Sequence, residues 1–276
     1  MALLSVNAMA QTLGRTVTFN VYLPSDNYDF EGKLAAQPPF KTLYLLHGIL
    51  GDQNDWLVGT RVASIAKKYH LAVVMPAGDN RFYLNYPATN DNYSDFVGQE
   101  LLDLTRRLFP LSQKREDTYI AGLSMGGYGA LYNGLTFHDN FSAIGAFSAG
   151  LVTGDALNAD EDSPIFFRTK SYLEAVFGDL EKVLDSDYHI PTLVKRLADE
   201  KIDLPTIFST CGTEDSLITA NRELSSVLDE QGINHTSIEK PGGHTWEYWN
   251  QALADFLEWL PIERVSDGVS SGNVGV

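Results

Sequence analysis

The chain has 276 residues, 44% of them hydrophobic and 20% charged, the make-up of an ordinary globular protein long enough for one sizeable α/β domain. A formal charge of −16 argues against a nucleic-acid backbone or an anionic membrane surface as partner, since either would repel it. Cys211 is the single cysteine, so no intrachain disulfide can form.

At the N-terminus, Met1-Ala2-Leu3-Leu4 is too short an apolar run, with no basic flank, to read as a signal peptide, although Ala8-Met9-Ala10 superficially looks like a cleavage site. No apolar run approaches the ~20 residues that span a bilayer. These features lead us to expect a cytoplasmic protein.

Residues 14–23, GRTVTFNVYL, alternate β-branched or aromatic with polar residues and stop at Pro24, which predicts a half-buried antiparallel strand near a sheet edge. The later strand candidates, 42–46, 71–75, 118–121, 143–147 and 206–209, are short and mostly continuously apolar, as parallel strands covered on both faces should be. Helical spacing falls between them. Val97, Leu101, Leu104 and Leu108 recur before Pro110, and Trp249, Leu253, Phe256 and Leu260 before Pro261. The alternation predicts a mostly parallel sheet with helices on both faces and an antiparallel N-terminal edge. From about 149 to 203 an acidic, loop-like stretch and two helical patches interrupt the rhythm, either as a small cap-like insertion over a pocket or as a plain connection. We expect one domain over 1–265, and a disordered tail over the Gly- and Ser-rich 266–276.

The stretch Gly122-Leu123-Ser124-Met125-Gly126 lies between the strand at 118–121 and the helical pattern YGALYNGL. A serine hydroxyl is a poor nucleophile unless a base, an orienting acid and oxyanion donors converge on it. A strand, sharp turn and helix around G-x-S-x-G is the context that exposes such a serine. Of the six histidines, His244 stands in the glycine-rich loop Pro241-Gly242-Gly243-His244, between the last strand candidate and the C-terminal helix, and is the candidate base. Asp215, in Cys211-Gly212-Thr213-Glu214-Asp215, is the candidate acid, with Glu214 as the alternative and helix capping as a competing use of Asp215. The order Ser124, Asp215, His244 is that of the α/β-hydrolase fold. For the oxyanion, Met125 offers one backbone amide, and the turn Leu46-His47-Gly48-Ile49-Leu50-Gly51 offers a second from Ile49 or Leu50. Trp56, Phe82, Tyr83, Tyr86 and Trp246 flank these segments as pocket or core residues.

HGILGDQNDW (47–56), GLSMGGYGA (122–130), CGTEDSL (211–217) and GGHTWEYW (242–249) resemble the esterase D, or putative-esterase, family of α/β hydrolases, most closely its small tributyrin-esterase branch. TLGRTVTFNVYLP (12–24) and VFGDLEKVL (176–184) extend the similarity to about residues 5–262. The resemblance implies Ser124 as nucleophile, His244 as base, Asp215 as orienting acid, the amides of Ile49 and Met125 as oxyanion hole, and no cofactor. It implies a serine carboxylesterase acting on short-chain acyl esters, with S-formylglutathione hydrolases and feruloyl or acetylxylan esterases as sister activities. The expected partner is a small acyl ester, with a homo-oligomer open. With no HExxH, CxxC, P-loop or strand-linked G-x-G-x-x-G, neither metal nor nucleotide chemistry has an anchor.

Overall fold

In the computed structural model, residues 2–265 and Val269 are described. Eight strands form one sheet: β1 (Ala2–Ala10), β2 (Arg15–Leu23), β3 (Thr42–Leu46), β4 (Ala72–Pro76), β5 (Thr118–Leu123), β6 (Ala143–Phe147), β7 (Thr206–Gly212) and β8 (His235–Lys240). Their spatial order is β1-β2-β4-β3-β5-β6-β7-β8. The β1–β2 and β2–β4 pairings are antiparallel and the remainder parallel, so the expected α/β-hydrolase sheet with an antiparallel N-terminal edge is present.

The central strands are apolar throughout because each feeds two cores. In β3, Leu43 and Leu45 face one layer and Tyr44 and Leu46 the other. Helices α1 (Asp55–Gly59), α2 (Val62–Lys67) and α8 (Trp246–Trp259) cover the first layer. The second is covered by α3 (Leu101–Leu108), α4 (Met125–Thr136), α5 (Lys170–Phe177), α6 (Ile190–Asp199) and α7 (Ile218–Glu230).

Three differences from the sequence reading have local causes. The strand over 14–23 lies near the sheet edge, as expected, but a further strand, Ala2–Ala10, pairs along its whole length outside it. That segment gives no clean alternation, since Leu3 and Met9 lie on the solvent side. In α3 the buried face is Leu101, Leu102 and Thr105, whereas Leu108 is half exposed. A π-turn at Phe96–Glu100 precedes this helix, and Thr105 takes a core position because its hydroxyl bonds Tyr44 Oη at 2.8 Å and the Leu101 carbonyl at 2.7 Å. Segment 149–203 holds short 3₁₀ turns together with α5 and α6, packed on the second layer. The expected tail over 266–276 lies outside the described residues apart from Val269.

Among the described residues no helix is long and apolar enough to cross a membrane, and no group of three or more His, Cys, Asp or Glu is placed to hold a metal.

Candidate active site

Ser124 occupies the step between β5 and α4 with φ 53° and ψ −119°, a conformation that costs a non-glycine residue about 1–3 kcal/mol and persists only where the surroundings enforce it. The enforcement is visible on every side. Its N–H donates to Phe147 O at 2.9 Å, and its carbonyl accepts from Gly150 N at 2.8 Å and Tyr128 N at 3.0 Å. A Cβ on Gly122 would sit 2.3 Å from the Gly126 carbonyl oxygen, and one on Gly126 would sit 2.4 Å from that of Leu46. Only glycine lets the elbow close this tightly onto the turn after β3. The N-terminus of α4, with its partial positive charge, is thereby aimed at the serine.

Ser124 Oγ lies 3.0 Å from His244 Nε2, and His244 Nδ1 lies 2.8 Å from Asp215 Oδ2. Because Nδ1–H donates to the carboxylate, Nε2 is left as an acceptor facing the hydroxyl. His244 directly precedes Thr245, the N-cap of α8, whose side chain accepts from Tyr248 N. The rings of Trp249 and His244 meet nearly perpendicular, 4.8 Å apart between centroids. Asp215 is buried, and its two oxygens divide the two roles that the sequence set in competition: Oδ2 takes His244 and Oδ1 takes Leu217 N–H at 2.9 Å, at the start of α7. Burial pushes this carboxyl up, but bonds from His244, Leu217 N–H and the Ser148 hydroxyl outweigh it and hold Asp215 below the ordinary carboxylate value. Glu214 is exposed, and no hydrogen bond joins it to His244 among the described residues.

In the turn after β3, Leu50 N–H donates to Asn80 Oδ1 at 2.8 Å. The Ile49 and Met125 amides, by contrast, have no hydrogen-bond partner among the described residues. The turn is braced from behind. His47 Nε2 accepts from Gly78 N at 2.8 Å, which makes Nδ1–H the donor to Gly48 O at 2.6 Å and fixes a neutral ring. Burial is the main cause holding its pKa below the ordinary histidine value. Tyr83 Oη donates to His47 O at 3.1 Å, and Trp56 Nε1 to Leu46 O at 2.9 Å.

The flanking aromatics divide accordingly. Trp56, Phe82 and Tyr83 are buried supports, and only Trp246 and Tyr86 are part-exposed. Of the remaining histidines, His138, His189 and His235 are engaged with Asp139, Thr153 and Ser225. Two residues of the site carried no sequence signal. Asn80 is one, and Ser148 is the other: buried at φ 45° after β6, it receives Trp249 Nε1 at 3.3 Å and donates to Asp215.

The strand order, the elbow and the bonded Ser-His-Asp series define an α/β serine hydrolase. The chain belongs to the esterase family described as "Putative esterase", whose model matches residues 10–260, and it is a carboxylic ester hydrolase. It is 39% identical over 269 residues to an acetyl esterase of Caldicellulosiruptor saccharolyticus, covering 97% of this chain and all of that one. Among solved structures it is similar to the Staphylococcus aureus fluorophosphonate-binding serine hydrolase FphF, with TM-score 0.82, 31% identity and coverage of 94% of this chain and 98% of the other. It also matches an S-formylglutathione hydrolase of the same organism, with TM-score 0.80, 30% identity and the same coverage.

Proposed function

We propose that the protein hydrolyses short-chain acyl esters, acetyl esters foremost, through an acyl-enzyme on Ser124. The observation that carries this reading is the unbroken series Ser124 Oγ, His244 Nε2, His244 Nδ1, Asp215 Oδ2, with steps of 3.0 and 2.8 Å. His244 takes the hydroxyl proton as Ser124 Oγ adds to the ester carbonyl. The Ile49 and Met125 amides receive the oxyanion, His244 returns its proton to the departing alcohol, and water repeats the sequence on the acyl-enzyme. Asp215 keeps the imidazole in its useful tautomer and stabilises the imidazolium. The full-length similarity to an acetyl esterase favours the acetyl group. In the same reading, segment 149–203 serves as the cap, since Tyr172 Oη donates to Asn80 O at 2.8 Å and so links it to the Ile49 turn.

The test is a panel of p-nitrophenyl esters from acetate to decanoate on the native protein and Ser124→Ala. Turnover should fall steeply beyond butyrate and vanish in the variant. Parental rates in Ser124→Ala would overturn the mechanism. A thioesterase is the second reading, supported by the likeness to S-formylglutathione hydrolase. It predicts a higher kcat/KM on S-formylglutathione than on any oxygen ester.

A further inference from the structure

The two edges of the sheet are built differently. At one end β8 is six residues long and ends in Glu239 and Lys240, charged groups that discourage further pairing. At the other end β1 runs for nine residues, ALLSVNAMA, with no charge and no proline. Its register against β2 is continuous from Ala2↔Leu23 to Ala10↔Arg15, so no bulge turns it away. An unpaired edge normally carries at least one of these protections. Among the described residues only β2 pairs with β1.

The strand is also its own complement. About Val6 its pattern reads the same in both directions: apolar at 2–4, polar at 5, apolar at 6, polar at 7, apolar at 8–10. We propose that β1 is the pairing edge for a second copy of this chain, joined antiparallel about a two-fold axis through Val6 to make one sheet shared by two protomers. In that register Ser5 of each copy opposes Asn7 of the other, and Leu3 opposes Met9, on the face where Leu3 and Met9 are now 54% and 60% exposed. On the other face Leu4 opposes Ala8. Leu4, Val6 and Ala8 pack against the core yet remain only part-buried, as an unfinished core edge would be, and the second copy covers them. A two-fold contact must match a surface with itself, which a palindromic strand does and an arbitrary peptide would not. Charge argues the same way. Two chains of −16 repel, so contact is least opposed along an uncharged strip. Such repulsion is screened beyond ~8 Å at 0.15 M salt, and dimerisation should strengthen as salt is raised.

The experiment is mass measurement by light scattering or sedimentation at low and high salt, on the native chain and on the double variant Ser5→Lys with Asn7→Lys. Both substituted side chains point into solvent in the single protomer, so the far-UV circular dichroism spectrum should be unchanged and reports a folded variant. The native chain should be dimeric and the variant monomeric. A native monomer, or a dimer that survives both lysines, overturns the proposal. For the register, Ser5→Cys with Asn7→Cys should cross-link between copies on oxidation, whereas either cysteine alone should not; cross-linking of a single variant would refute the Val6 axis. The readout is independent of the esterase reading, so either can fail without the other.

Discussion

The Asn80 side chain holds the backbone N–H of Leu50 at 2.8 Å, and by occupying that donor it leaves the neighbouring Ile49 amide as the one our mechanism assigns to the oxyanion. Asn80 is in turn held by Tyr172 through its carbonyl. It touches no reacting atom in our mechanism and is a positioning residue. Losing an oxyanion donor outright costs ~10² to 10³ in rate, and a donor that is only loosened should cost about tenfold. Asn80→Ala is therefore expected to lower kcat about tenfold with KM little changed, while Asn80→Asp, which keeps the acceptor oxygen, restores most of it. A loss carried by KM, or no rescue by aspartate, would remove the bond from the mechanism.

Asp215→Asn separates the two jobs of one carboxylate. The amide oxygen can still accept from Leu217 N–H and keep the start of α7, but an NH₂ facing His244 Nδ1 forces the proton onto Nε2 and removes the base. The expected loss is ~10³ to 10⁴ in kcat, with a lower melting temperature at neutral pH because the contribution of the ionised carboxylate is gone. The acid response should change as well. A carboxyl held below its unfolded value of ~3.9 contributes stability above that pH and loses it as the pH falls through the lower folded value. That part of the acid transition should be missing in the variant, as acid titration followed by circular dichroism would show.

Much of this was legible in the chain itself. Ser124, Asp215 and His244 each stand just beyond a strand, in the order this fold requires, and the glycines on both sides of Ser124 are what a close-packed elbow demands. The rest depends on contacts between segments far apart in sequence. Nothing around Asn80 says that it reaches 30 positions back to Leu50, or around Ser148 that it serves Asp215 from the end of β6. Thr105 reads as surface and is core because Tyr44 satisfies its hydroxyl. β1 carries no sequence signal because an edge strand with apolar residues on both faces has no period.

Cys211 should be chemically silent. It is buried next to the Asp215 turn, and its thiol is pushed up to about 12, by desolvation first and by the negative charge of Asp215 second. Ellman's reagent at pH 8 should release no colour from the native protein and one equivalent in urea. Rapid labelling of the native form would mean that β7 opens at its C-terminal end, where the acid of the site is carried.

His47 gives the stability curve a second pH limb, distinct from that of the carboxylates. Its ring is buried and neutral, with Nε2 accepting from Gly78 and Nδ1–H given to Gly48, so protonation would set two N–H groups against each other across 2.8 Å. Desolvation lowers its folded pKa beneath the unfolded value of ~6.5. The unfolded chain then binds more protons in the interval between the two values. Stability is accordingly complete above pH ~6.5 and declines as the pH falls toward the folded value. His47→Gln, with an amide oxygen to accept from Gly78, should flatten this limb while lowering stability at pH 7.5, where the native ring makes both of its bonds. Thermal melts of the two proteins at intervals from pH 5 to 8 decide the matter: if their melting temperatures fall in parallel between pH 7 and 5, His47 is not the group whose protonation is opposed.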